Sequence, residues 1–196
     1  MQTPRTGGRA GILFGFVPLI VYGILAGPSA QSRIVALGTA TLVSIVVGYE
    51  DLKKGRILTW ANLVLFGGLL AATAGLGMTG LLPWSGVLIY AVLAAVAFGS
   101  ILAGYPFTLQ YARGMVEPAH QDSTVFLRVN RFMTGVWGCI FAANVLLDYL
   151  ALAPAGPSAQ AASLLTYGVL AAGIIFTLWY PGQIRKTYAR SPPGAK

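Results

Sequence analysis

The chain has 196 residues, of which 56% are hydrophobic and only 9% charged, and it carries a formal net charge of +8. A water-soluble surface needs roughly a quarter or more of charged residues, so this composition excludes a soluble domain and reads as an integral membrane protein. Cys139 is the only cysteine, which excludes an internal disulfide and any cysteine-built metal site.

Crossing about 30 Å of hydrocarbon at about 1.5 Å per residue takes about 20 apolar residues, with about 17 as a practical minimum. Six runs free of Lys and Arg approach that length: 11–27, 34–49, 57–76, 84–105, 132–152 and 162–180. The first contains Pro18, which predicts a kink, and the second is short. Barrel strands would alternate over roughly ten residues, and these runs do not, so helices are the reading. The first run also fits a signal peptide, but its removal would leave an odd number of spans, and a retained span is the expectation. The predicted fold is all-α, one integral membrane domain over 1–196 with six transmembrane helices arranged as three hairpins.

The basic residues set the expected orientation. Arg5 and Arg9 precede the first run, and Lys53, Lys54 and Arg56 follow the second. Arg113, Arg128 and Arg131 follow the fourth, and Arg185, Lys186, Arg190 and Lys196 follow the sixth. Arg33 alone falls in the opposite set of gaps. Basic loops stay on the cytoplasmic side, so both termini are predicted inside. The charge then faces anionic lipid headgroups, and nucleic acid is not an expected partner.

Each even-numbered run ends in a related phrase. Gly48-Tyr49, Gly104-Tyr105-Pro106 and Trp179-Tyr180-Pro181 stand at the three boundaries, and Tyr-Ala-Arg recurs at Tyr111 to Arg113 and Tyr188 to Arg190. Three tandem hairpins account for this, as does the ordinary enrichment of Tyr and Arg at a membrane boundary.

The longest connection, 106–131, is the expected place for partner contacts. Pro106 suits a first helical turn, and Phe107, Tyr111 and Met115 then share one face opposite Gln110 and Arg113. That pattern predicts a short interfacial helix. A second amphipathic piece, 125–131, turns Arg128 and Arg131 away from Phe126 and Val129. Phe107, Tyr111, Arg113, Arg128 and Arg131 are therefore the candidate lipid or partner contacts. Glu117, His120 and Asp122, with Glu50 and Asp51, are the alternative site for a divalent ion, but the carboxylates lack a spacing that gathers them on one face. No Ser-His-Asp set, His-Glu-x-x-His or phosphate loop appears, so no catalytic residue, metal ligand or cofactor is predicted.

Polar side chains inside the runs are costly and default to a functional hypothesis. Asn62 lies about 9 Å inward from Arg56, and Asn144 about 20 Å from Arg131, with Asp148 one turn further on the same face. Asn144 and Asp148 either line a polar cavity and reach Arg33, or hydrogen-bond neighbouring helices and interfacial water. Small residues four apart, Gly11 and Gly15, Gly23 and Gly27, Ala71 and Gly75, Gly138 and Ala142, predict close helix crossings or self-association.

The stretch Pro106-Phe107-Thr108-Leu109-Gln110-Tyr111-Ala112-Arg113, followed by Phe126 to Arg131 and by Trp137-Gly138 and Phe141-Ala142-Ala143-Asn144, resembles a group of bacterial multi-pass membrane proteins of no assigned activity. More remotely it is similar to the intracellular septation protein A family. The resemblance implies a bacterial inner-membrane protein of cell-envelope organisation with no catalytic residues to carry over. The chain departs from that family in having more spans and in residues 154–160.

Two function classes lead. The first is a non-enzymatic inner-membrane scaffold or accessory subunit, with membrane lipids and either protein partners or a second copy of the chain as its contacts. The alternative is a small lipid or amphiphile carrier or transporter with a cavity near Asn144 and Asp148. An enzyme acting on lipid headgroups is a third class and requires an ion at Glu50, Asp51 or Asp122.

Overall fold

The computed structural model describes residues 7–154, 156 and 158–190, and their side chains other than those of 7–13, 115, 119, 159 and 185–190. The described residues include eight α-helices: α1 (Gly7–Leu25), α2 (Ala30–Val46), α3 (Tyr49–Lys53), α4 (Ile57–Leu70), α5 (Ser85–Leu102), α6 (Phe107–Ala112), α7 (Thr124–Ala151) and α8 (Ala159–Arg190). No strand occurs among the described residues. The long helices α1, α2, α4, α5, α7 and α8 fall on the six apolar runs in order.

Four segments are long and apolar enough to cross a membrane: Ile57–Gly75, Ser85–Leu102, Thr124–Ala151 and Gln160–Ile184. The described part of α1 and the whole of α2 are shorter apolar helices. Only 28–39% of the most apolar window of each long segment is buried. The rest presents Val64, Leu102, Leu164 and Ile175 outward, and α1 and α2 likewise expose Ile24 and Leu42. An apolar exterior of this extent belongs against lipid, so the chain is a helical, multi-pass membrane protein.

Each long helix packs on the next in the sequence, and the contact between α5 and α7 is the most extensive. The Tyr167 hydroxyl of α8 donates to the Gly23 carbonyl of α1, which closes the series into a ring. Inside the ring Phe16 stacks on Trp137 with centroids 4.1 Å apart, and Trp137 sits 5.5 Å from Phe141. Trp137 Nε1 donates to Thr177 Oγ1 at 3.0 Å, tying α7 to α8. Lipid tails are as apolar as these side chains, so tight packing and such hydrogen bonds hold the helices together. Small residues permit it. A Cβ at Gly138 would come within 2.8 Å of the Phe98 ring, and one at Gly173 within 3.1 Å of Trp137. Gly75 meets nothing within 4 Å and Ala142 is exposed, so only part of the four-residue spacing serves crossings.

Three elements differ from the sequence expectation. The amphipathic piece at 125–131 is not separate: it forms the first two turns of α7, because no helix breaker intervenes and Ser123 Oγ accepts from the Phe126 N–H at 3.3 Å as N-cap. α7 has 28 residues, about 42 Å. α8 runs to 32 residues, continuing through Pro181 beyond the apolar run. α1 runs through Pro18 as one helix, in keeping with its apolar run, although Pro18 lacks the N–H that would bond the Phe14 carbonyl.

The third difference is α6. It does not lie on the interface but is driven into the bundle, with Phe107, Thr108, Leu109 and Tyr111 all buried. Its backbone and side chains are fixed from several helices. Phe107 N–H donates to Ser100 Oγ at 3.1 Å, Thr108 Oγ1 pairs with Thr134 Oγ1 at 2.8 Å, and Gln110 Oε1 accepts the Ile57 N–H at 2.9 Å. The last bond supplies the start of α4 with the cap that Arg56 does not.

Candidate functional site

Because the long helices alternate in direction, the bundle has two ends: one carries Arg33 and the connections 26–29, 76–84 and 152–154, the other Arg56 and the connections 47–56 and 103–123. Polar side chains gather inside each end.

At the Arg56 end most of the polar groups pair with one another. Arg56 Nη1 lies 2.9 Å from Asp51 Oδ1, and its guanidinium covers the Tyr111 ring at 4.3 Å. The Tyr111 hydroxyl is 3.3 Å from Thr59 Oγ1, and burial pushes that hydroxyl's pKa up to about 12. Asn62 Nδ2 donates to the Gly15 carbonyl at 2.7 Å, joining α4 to α1, while its Oδ1 has no partner. These contacts brace α1, α4 and α6 against each other.

This placement corrects part of the expected contact surface. Phe107 and Tyr111 are 0% and 1% exposed, so neither reaches lipid or a partner. The helical spacing was right but the face points inward. Arg113 is part exposed and lies 3.5 Å from Asp122, whereas Arg128 and Arg131 are exposed. His120 sits 4.0 Å from Glu117. Among the described residues no three His, Cys, Asp or Glu side chains gather in a way that could hold a metal ion.

At the Arg33 end the arrangement is different. Asn144 is 0% exposed, and neither its Nδ2 nor its Oδ1 has a hydrogen-bond partner. A carboxamide can make up to four hydrogen bonds, and each buried polar group left unmade costs about 1–3 kcal/mol. One turn along α7, Asp148 accepts a long 3.5 Å bond from Thr166 Oγ1 of α8. The carboxylate rests against the backbone of Gly86 on α5, where a Cβ would overlap it. Asp148 is the only acidic residue within the six apolar runs.

Further hydroxyls lie at the same end of the bundle. Ser85 Oγ donates to the Leu82 carbonyl at 2.7 Å, so the Tyr22 hydroxyl is the donor in the 2.6 Å Tyr22–Ser85 bond. Arg33 does not form an ion pair with Asp148. Its Nη1 donates to the Leu82 carbonyl at 2.6 Å and its Nε to the Gly27 carbonyl at 3.1 Å. The guanidinium thus shares one carbonyl with Ser85. Tyr22, Ser85, Gly86, Thr166 and Tyr167 were not expected from the sequence, because hydroxyls and glycines are common in spans. The weak cue was that all five fall within about two turns of a run's end on the Arg33 side.

No family model matches the sequence, so the resemblance to the septation protein family rests on the quoted residues. No solved structure matches it either. The chain is similar to the multidrug transporter MdfA of Edwardsiella ictaluri (strain 93-146), with 33% identity over 123 residues, which covers 60% of the chain and 30% of that relative. The match therefore spans less than a third of the transporter's length.

Proposed function

We propose that the protein is a small membrane transporter for amphiphilic molecules, recognised at the Asn144–Asp148 face of α7. The observation that carries this reading is Asn144, a wholly buried carboxamide with no partner, one turn from the only carboxylate in the apolar runs. Two donors and two acceptors held in a dry interior suit the polar head of a molecule whose remainder is apolar. Asp148 adds a charge whose orientation is fixed by Gly86 and Thr166. The partial similarity to a multidrug transporter supports the same class.

In this reading the six long helices cross a bacterial inner membrane with the Arg33 end outward and the Arg56 end cytoplasmic, following the basic residues. Tyr22, Ser85 and Arg33 hold α1, α2 and α5 together above the site, and Tyr167 latches α8 to α1. The test is uptake of a lipophilic fluorescent dye into proteoliposomes containing the full chain. Accumulation above protein-free vesicles, lost in Asn144→Leu and reduced in Asp148→Asn, is the expected result. A scaffold or accessory-subunit role predicts instead no uptake and a protein partner retained on gentle extraction.

A further inference from the structure

The exterior of the bundle carries a groove of about 860 Å³ between α4 and α5, lined by Trp60, Val64, Gly68 and Leu69 of α4 and by Val92 and Val96 of α5. Its lining is almost wholly apolar, and Gly55 forms its rim at the Arg56 end. From Ile57 to Leu69 it follows α4 for about 18 Å, slightly more than the roughly 15 Å of hydrocarbon in one leaflet. A cleft of that length and composition, beginning at a membrane boundary, accepts an acyl chain.

The charge at its rim is what selects the lipid. Lys53 and Lys54 precede Gly55 and are exposed, and among the described residues neither forms an ion pair. Lys53 is held over the Tyr49 ring at 4.3 Å. Arg56 differs, since it is committed to Asp51 and Tyr111. Glu50 is the one nearby acid left unpaired, so the lysines give the rim a net positive charge. Gly55 has φ +66°, a left-handed turn that ends the α3 segment and leaves no side chain between the lysines and the groove. Trp60 Nε1 donates to the Leu52 carbonyl at 3.1 Å, which fixes the indole as one wall.

We infer that this groove is a binding site for an anionic phospholipid, with the phosphate-bearing headgroup on Lys53 and Lys54 and one acyl chain laid along α4 from Gly55 to Leu69. The site is separate from the Asn144–Asp148 face and stands or falls independently of transport. Each basic residue at a membrane surface contributes enough attraction to an anionic lipid for roughly a fivefold change in occupancy. Gly68 has open space around it, so a larger side chain there fills the groove without a clash.

The test is native mass spectrometry of the full chain in detergent, titrated in parallel with phosphatidylglycerol and phosphatidylcholine of the same chain length. Phosphatidylglycerol adducts are expected to survive activation that strips phosphatidylcholine. Lys53→Ala with Lys54→Ala is expected to cut phosphatidylglycerol retention by roughly tenfold or more. Gly68→Leu is expected to lower retention with both lysines in place, whereas Gly135→Leu, in a smaller apolar groove of about 520 Å³ against Phe132 and Cys139, leaves it unchanged. Circular dichroism checks that each variant stays helical. Equal retention of the two lipids, or an undiminished preference in the double lysine variant, overturns the inference. So does a dimer that forms on delipidation and is lost in Gly68→Leu, which would assign the groove to a second copy of the chain.

Discussion

The Asp148 carboxylate of α7 lies directly against the Gly86 backbone of α5, in a space that a single methyl group would take from it. α5 and α7 form the most extensive helix contact in the bundle, so this pair couples a packing constraint to the one acidic side chain within the six apolar runs. Gly86→Ala is expected to lower the melting temperature in detergent, at a cost of about 1–3 kcal/mol typical of overpacking. Adding Asp148→Ala should restore most of that loss, because the obstructing carboxylate is gone. A double-mutant cycle from thermal unfolding measures the coupling, and additive effects would contradict the contact.

Asn62 and Asn144 are both buried asparagines, yet they should respond oppositely to the same replacement. Leucine matches the branching of asparagine. Asn62→Leu removes the 2.7 Å bond that ties α4 to the Gly15 carbonyl of α1, so a loss of about 0.5–1.5 kcal/mol is expected. Asn144→Leu removes two unpartnered polar atoms and breaks no bond, so stability is expected to hold or rise while dye uptake disappears. Paired melting curves of the two variants decide it.

Tyr111 gives the bundle an alkaline weakness. Its folded pKa of about 12 lies above the ordinary value of 10.0, so the folded state holds that proton more tightly than the unfolded state. The contribution is complete below pH 10 and is lost as pH rises toward 12, by about 3 kcal/mol at most. Tyr111→Phe should be slightly less stable at neutral pH, by about 0.5–1.5 kcal/mol for the Thr59 bond. Its melting temperature should fall less steeply above pH 10 than that of the parent chain. Parallel slopes would remove Tyr111 as the cause.

The orientation is open to direct labelling. With Cys139 replaced by alanine, a cysteine at Gly80, which has no neighbouring atom within 4 Å of its Cβ position, should react with an impermeant maleimide on intact cells. A cysteine at Asp122, exposed in the connection before α7, should react only after permeabilisation. The reverse pattern would invert the bundle.

The long helices were legible because the bilayer demands about 20 apolar residues and little else in a sequence resembles that demand. Their ends were less so. Arg128 and Arg131 made 125–131 look like a separate piece, yet long basic side chains can leave a continuing helix at the boundary without breaking it. For α6, the spacing of Phe107 and Tyr111 identified one face, but spacing alone does not say whether that face meets lipid or protein, since both are apolar. Asn144 and Asp148 stood out because burying them is expensive. The Tyr22–Ser85 bond joins residues 63 apart and involves hydroxyls that a span tolerates at little cost, so nothing local announced it.

The bond that Tyr167 makes to Gly23 joins the last long helix to the first. During synthesis α8 leaves the ribosome after α1 to α7, so the seam between α1 and α8 stays open to lipid until α8 has emerged. Closing the ring therefore waits on α8, and a chain that stops before Tyr167 has no such latch on α1.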